Sequence, residues 1–237
     1  KWYGYLPLAA NYLLMMLYTT VTGWMLAYCW FSLNGQLAGL NPDQVGGYFG
    51  GFLSSPTAMV GWMGAAVFLG SAVCIIGLQN GVERITKYMM SGLLIIMLLL
   101  VVRAVTLPGA EKGLAFYLKP DFAKMAKQGI WTTVYAAMGQ AFFTMSIGIG
   151  SMAIFGSYID RKRTLTGESV IIMLLDTFVA LVAGLIIFPT CFAFGVNAGS
   201  GPGLVFVTLP NMFNNMPNGQ IWGSLFFLFM SFAALST

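Results

Sequence analysis

The sequence predicts an all-α membrane protein whose helices form a bundle. Of its 237 residues, 58% are hydrophobic and only 8% are charged, whereas soluble domains carry about 25% charged residues. The mean hydropathy is +0.82, and long uncharged runs recur along the chain. The sequence lacks the series of alternating segments, roughly ten residues each, that is typical of a transmembrane β-barrel. Helices are therefore the predicted spanning element.

Composition also excludes several classes of function. The chain contains no histidine, which rules out His-based catalytic triads and zinc binding by an HExxH motif. The net charge of +4 is small and scattered, so it gives no patch for a nucleic acid. We expect a protein that is not an enzyme, that has the lipid bilayer as a partner and that does not bind nucleic acid.

The first three of six predicted spans are uninterrupted apolar runs. A helix needs about 20 residues to cross a bilayer, and residues 5–33, 57–78 and 88–107 each supply that length. Residues 34–56 hold six glycines and two prolines and predict a loop. Arg103 lies near the end of the third span, where its side chain can extend to the membrane surface.

The last three spans are predicted at residues 130–159, 169–194 and 221–237, and the first of these contains a break. The chain starts at Lys1 without an initiator methionine, and it stops while the sixth apolar run is still in progress. We therefore expect the sequence to be a piece of a longer protein.

Two longer connections separate the spans of this second half. Residues 108–127 carry four of the eleven basic residues, and Pro120-Asp121-Phe122 predicts the start of a short amphipathic helix there. Residues 195–220 are rich in Gly, Pro and Asn; they predict a long loop with a helical piece around residues 204–213.

Charge predicts the orientation in the membrane. The short connections 79–87 and 160–168 lie on one side and hold five basic residues, and short loops of that kind face the cytoplasm. The sequence therefore predicts a multi-pass protein of the cell inner membrane whose first span runs outward.

The fourth span has a polar and glycine-rich middle. Thr144, Ser146, Gly148 and Gly150 cluster within an uncharged run, although glycine costs about 1 kcal/mol relative to alanine inside a helix. Within a bilayer, a broken helix is tolerated only where protein or a water-filled cavity covers the break. Peptide groups freed there can hold ions and small zwitterions. We interpret the region 146–150 as a helix break that forms the binding site of a transporter.

Asp176 is the only acidic residue inside a predicted span. A charge at the bilayer centre costs at least about 2.5–3.5 kcal/mol, so it needs a cation, a basic partner or water. Sodium binding and proton relay both fit a lone carboxylate, as does a protonated or solvated carboxyl near a helix end. A cation channel is a further alternative, although this sequence has no repeated pore segment and no rings of like residues.

Several motifs, in this order, resemble those of the neurotransmitter:sodium symporters, and most closely the bacterial amino-acid members of the leucine-transporter type. The segment 139–150 followed by Ser157-Tyr158 is similar to the sixth helix of that family, and Tyr18 six residues before Trp24 is similar to its third. The resemblance extends to residues 80–84, 118–122 and 232–237. It covers helices 3 to 8 of twelve and implies a partial leucine-transporter-like fold with a discontinuous helix 6.

The resemblance implies a set of roles. The residues implied in substrate binding are Tyr18, Phe143, Thr144, Ser146, Ile149 and Thr237. Those implied in the first sodium site are Thr144 and Asp176, and in the second the Ala233 carbonyl, Ser236 and Thr237. Those implied in gating are Tyr18, Phe143 and Tyr158.

The implied activity is sodium-coupled symport of an apolar or aromatic L-amino acid, with alternating access around the broken helix; a proton-coupled amino-acid transporter stays open as the alternative. The family commonly has Asn where Asp176 stands, and chloride-dependent members place Ser where Ala180 stands. The resemblance implies two sodium sites. Because Asp176 supplies a permanent negative charge, we expect that chloride is not required. In this family helix 1, outside this chain, completes both sodium sites.

Overall fold

The computed structural model describes residues 2–76, 83–148, 150, 156, 164–199 and 201–235. Every regular element among them is a helix, so the predicted all-α class is confirmed. The chain divides into two compact units, residues 1–15 with 118–181 and residues 16–117 with 182–237. Two long helices, α1 and α8 below, contribute one part to each unit.

The helices follow one another in this order: α1 (Trp2–Leu33), α2 (Pro42–Leu53), α3 (Pro56–Ile76), α4 (Glu83–Val105), α5 (Ala110–Leu118), α6 (Phe122–Gln128), α7 (Ile130–Thr144), α8 (Leu165–Phe194), a π-helix (Leu204–Thr208), α9 (Leu209–Asn214) and α10 (Gly219–Leu235).

Three of the described helices are long and apolar enough to cross a membrane: Gly4–Leu33, Lys87–Val105 and Leu165–Phe194. A fourth span results if Pro42–Leu53 and Pro56–Ala72, which are bent by 80° relative to each other, are counted as one broken span. Six spans remain a prediction.

The loop predicted at residues 34–56 is wrong, because most of it is helix α2. Val45, Phe49 and Phe52 lie on one face of this helix and are buried. The backbone N–H of Asn41 donates to the side-chain oxygen of Gln44 at 2.9 Å, which stabilises the first turn. Burial of an apolar face thus outweighs the low helix propensity of the glycines in α2.

The second unit has a dense aromatic core centred on Tyr28 of α1, which is fully buried. Its ring packs against Phe206 of the π-helix, with centroids 4.9 Å apart, and against Phe227 of α10 at 5.3 Å. Phe49 of α2 stacks on Phe206 at 5.4 Å and lies 6.2 Å from the ring of Tyr28. One core therefore joins α1, α2, the π-helix and α10.

Arg103 of α4 binds the end of another helix. Its Nη2 donates to the carbonyl of Asn215 at 2.8 Å, immediately after α9, where a cation is favoured by the helix dipole. Asn214 donates to the carbonyls of Leu37 and Leu40. These bonds attach the α9 corner to α4 and to the turn after α1.

In the first unit, α6 begins where the sequence predicts. Asp121 precedes the helix, and its carboxylate accepts a hydrogen bond from the backbone N–H of Lys124 at 2.9 Å. Gly129, with φ of 91°, separates α6 from α7. Helix α7 follows directly and contains no buried residue.

Two glycines bring α5 close to the second half of α8. A Cβ added at Gly113 would lie 2.5 Å from the carbonyl oxygen of Phe188 and 2.6 Å from the Cα of Pro189. On the opposite side, the ring of Tyr117 occupies the space that a Cβ on Gly184 would need. The contact between these helices therefore requires glycine at position 113, where the neighbouring atoms are backbone, whereas at position 184 only the end of the Tyr117 side chain is in the way.

We predict that Gly113→Ala destabilises the protein by about 1–3 kcal/mol, the usual cost of overpacking. The backbone of α8 has to move, because no flexible side chain can yield. Thermal unfolding of the complete protein in detergent measures the effect. Gly46→Ala is the control, since a Cβ there meets nothing within 4 Å; equal melting temperatures for the two variants would contradict the prediction.

Candidate functional site

The predicted helix break is present, and it begins at the last residue of α7. Met145 N–H donates to the carbonyl of Ala141, Ser146 N–H to that of Phe143, and Ile147 N–H to that of Phe142. The two crossed bonds from residues 146 and 147 form a Schellman motif, the common way of ending a helix. The chain then leaves the helical path, which agrees with the break predicted near 146–150.

Ser146 adopts an unusual backbone conformation within this motif. Its φ is 52°, in the left-handed region where glycine is normally found at this position of a Schellman motif. For a residue with a side chain, that conformation costs of the order of 1–3 kcal/mol. Gly148 and Gly150 also have positive φ, 87° and 89°, and adopt it without that penalty.

The break exposes oxygen atoms at Thr144. Of the last four carbonyls of α7, those of residues 141–143 accept the three bonds described above. Among the described residues, none donates to the carbonyl or the hydroxyl of Thr144, or to the hydroxyl of Ser146. Carbonyl and hydroxyl oxygens are the ligands that hard cations prefer, so this corner can bind a small cation.

Asp176 lies in the same compact unit as the break. Its side chain is half-buried in the middle of α8, a 30-residue apolar helix. Within the described part of the chain, no hydrogen bond or ion pair involves its carboxylate, and none connects it to Thr144. An intramembrane carboxylate without a protein partner indicates a binding function.

Phe143 precedes Thr144 and is 47% exposed, so its ring is available to cover a neighbouring ligand. Pro7 of α1 lies near the other side of the break, since a Cβ built on Gly150 would lie 3.7 Å from the Cβ of Pro7. Pro7 was not among the residues singled out from the sequence.

The remaining predicted site residues lie elsewhere or outside the described residues. Tyr18 of α1 and Ala233 of α10 belong to the second unit, and both are half-buried. The carbonyl of Tyr18 accepts a hydrogen bond from the Thr22 hydroxyl at 2.7 Å. Four predicted residues are outside the described part of the chain: Ile149, Tyr158, Ser236 and Thr237.

The site has no cluster of metal-binding side chains of the usual kind. In the described ranges, no group of three or more His, Cys, Asp or Glu residues could hold a metal ion. The available donors are one carboxylate, hydroxyls and a backbone carbonyl. Such a set excludes a zinc-type centre of clustered His and Cys ligands at these residues and suits a weakly held alkali cation.

Comparison with known proteins identifies similar transporters. A sequence model of the sodium:neurotransmitter symporter family matches residues 55–237. The chain is 34% identical over 236 residues to the uncharacterized sodium-dependent transporter YhdH of Bacillus subtilis (strain 168), which covers 99% of this chain and 51% of that protein. It is 30% identical over 151 residues to the sodium- and chloride-dependent creatine transporter 1 of Homo sapiens, covering 60% of this chain and 23% of that one.

A solved structure agrees with these matches. The crystal structure of MhsT in complex with L-phenylalanine superposes with a TM-score of 0.91 at 37% sequence identity, covering 99% of this chain and 52% of that one. The likeness confirms the predicted partial leucine-transporter-like fold. YhdH and two other curated relatives match this chain over nearly its whole length. The chain spans about half the length of each of these relatives.

We predict that Gly148→Ala lowers the stability of the protein by about 1–2 kcal/mol, the cost of a left-handed conformation for a residue with a Cβ. Thermal unfolding of the complete protein measures the change. Gly139→Ala, in the interior of α7, is the control, because its Cβ would meet nothing within 4 Å and alanine favours the helix. Unchanged stability of the Gly148 variant would show that the backbone at this position is not held left-handed.

Proposed function

This chain belongs to the sodium:neurotransmitter symporter family, and from that membership we infer that the complete protein is a sodium-coupled symporter of apolar or aromatic L-amino acids. The observation that carries the proposal is the end of α7, where the carbonyl of Thr144 has no donor among the described residues. Such a carbonyl, at the end of a broken helix, is the group that a sodium ion needs. The names of the curated relatives, which are sodium-dependent transporters, support the choice of cation.

The first sodium ion would bind between Thr144 and Asp176. Thr144 offers a carbonyl and a hydroxyl, and Asp176 offers a full negative charge. All three are hard oxygen donors, so the donor set fits Na⁺. A second sodium ion would use the carbonyl of Ala233 with Ser236 and Thr237.

The amino-acid substrate would lie against the break. Tyr18 would donate its hydroxyl to the substrate carboxylate, and Phe143 would cover the bound molecule from outside. The pocket for the side chain would be lined by Ser146, Ile149 and Thr237. MhsT was crystallised with L-phenylalanine. This supports an apolar or aromatic amino acid as the substrate.

Transport would proceed by alternating access around the broken helix of an inner-membrane protein. Gly148 and Gly150 both have positive φ, so the chain after α7 would pivot at these glycines. Tyr158 would close the inner side of the path, as Phe143 closes the outer side. None of the comparisons supports a proton-coupled carrier or a channel.

The fixed charge of Asp176 replaces a bound anion in this proposal. A sodium ion and one carboxylate together are neutral, so the site would not need chloride. The family is not uniform in this respect, since the human creatine transporter is named as sodium- and chloride-dependent.

We predict that the complete protein, reconstituted in liposomes, accumulates labelled phenylalanine, tryptophan, tyrosine or leucine only when sodium is outside. A sodium gradient should drive uptake at least tenfold above the level in choline. Phe143→Ala should raise the substrate KM, because the outer cover is lost, and Phe68→Ala on α3 is the control for loss of an exposed ring. Equal uptake in choline would refute sodium coupling.

We predict that uptake persists when gluconate replaces chloride, and that Asp176→Asn reverses this. The amide keeps the shape but removes the charge, so sodium affinity should fall about tenfold or more, equivalent to 1.4 kcal/mol, and chloride should restore part of it. Asp176→Ala should abolish sodium-dependent substrate binding, measured by scintillation proximity. Sodium affinity retained in the alanine variant would exclude Asp176 from the site.

A further inference from the structure

The segment from Leu118 to Trp131 has an apolar side and a basic side, both exposed. Phe122 is 68% exposed and Trp131 is 84% exposed, although both are large aromatic residues. On α6, residues 122, 123, 125 and 126 share one face, and Lys124, Lys127 and Gln128 share the other. This is the pattern of a helix that lies in the interface between water and lipid.

The charge of this segment is mostly uncompensated. It contains Lys119, Lys124 and Lys127 against the single acid Asp121. Asp121 pairs with Lys124 at 3.7 Å and also accepts the helix-capping hydrogen bond from its N–H. In the part of the chain that the structure describes, Lys119 and Lys127 have no acidic partner.

Exposed aromatic residues continue onto the start of α7. Ile130 and Trp131 occupy its first turn, and both are exposed. Tryptophan is enriched at the level of lipid headgroups, where its ring contacts the acyl chains and its N–H remains in polar surroundings. Trp131 follows Lys127 by four residues, so a basic group and an interfacial aromatic group lie at the same end of an apolar helix.

We propose that residues 118–131 form a binding surface for an anionic phospholipid. The phosphate of the headgroup would lie between Lys119 and Lys127, and Phe122 and Trp131 would insert beside its acyl chains. The proposal commits to membrane lipid as the occupant because exposed apolar rings and unpaired lysines occur together. A soluble anion would have no use for the rings, and an apolar protein segment would have no use for the lysines.

The surface is independent of sodium coupling, since it contains none of the residues assigned to the ion and substrate sites. Lipid bound to this surface would affect the position of α7. Lipid bound at α6 would hold the start of α7 at the membrane surface, and the break at Thr144 lies at the other end of that helix.

Native mass spectrometry of the complete protein, titrated with phosphatidylglycerol or phosphatidylcholine, tests the proposal. Lys119→Gln and Lys127→Gln should each weaken phosphatidylglycerol binding about fivefold, the usual contribution of one basic residue near an anionic surface. The double variant should weaken binding more than either single variant, and the two effects should not simply multiply, because both lysines contact the same phosphate. Lys112→Gln on α5 is the matched control, because this lysine is also exposed, and binding should change less than twofold.

A second measurement tests whether the aromatic residues of this surface contact lipid. Brominated lipids quench tryptophan fluorescence at short range, so the difference between the native protein and Trp131→Phe reports whether that ring contacts lipid. We expect strong quenching of the Trp131 contribution and weaker lipid binding in Phe122→Ser. In the mass spectra, equal affinity for the two lipids would overturn the proposal, and so would an equally small effect of the Lys112 control and the Lys119 and Lys127 variants. In the fluorescence experiment, a Trp131 signal that brominated lipid leaves unchanged would overturn it.

Discussion

Every part of this protein depends on one constraint: a peptide group within the bilayer needs a hydrogen-bond partner. Helix α7 ends at Thr144, inside the predicted fourth span, and the chain satisfies nearly all of the groups that this end releases. The N–H groups of residues 145–147 return to the carbonyls of residues 141–143. Among the described residues, none donates to the carbonyl of Thr144, the last of the four. In the proposed site, this carbonyl is the one that the Schellman motif leaves for a ligand.

The two compact units are built in different ways. In the second unit, aromatic rings from α1, α2, the π-helix and α10 pack around Tyr28, and side-chain amides and Arg103 cap free carbonyls at the α9 corner. In the first unit, α7 has no buried residue in this chain, and Asp176 is only half-buried. The residues proposed for the first sodium ion lie in the unit whose described helices bury few side chains within this chain.

Glycine-rich stretches led to one correct prediction, the break after α7, and to one wrong prediction, a loop in place of helix α2. Thr144, Ser146, Gly148 and Gly150 fall within six residues of one another, and no packing demand could keep such a run helical. The glycines of α2 gave a similar signal, yet Val45, Phe49 and Phe52 recur at helical spacing and are buried. Local propensity is weak compared with burial of a complete apolar face. The left-handed Ser146 could not be predicted, because the motif that forces it depends on where the hydrogen bonds close. The nearness of Pro7 to Gly150 involves residues far apart in sequence and has no local signal.

The charge of the proposed site limits how transport can be organised. A zwitterionic amino acid adds no net charge, and one sodium ion beside Asp176 adds none either. A second sodium ion at Ala233 and its neighbours would meet only neutral oxygens among the donors that this chain supplies. At the bilayer centre an uncompensated charge costs several kcal/mol, so the charge of this second ion would have to be offset by the part of the site outside this chain, whereas Asp176 would already offset the first ion.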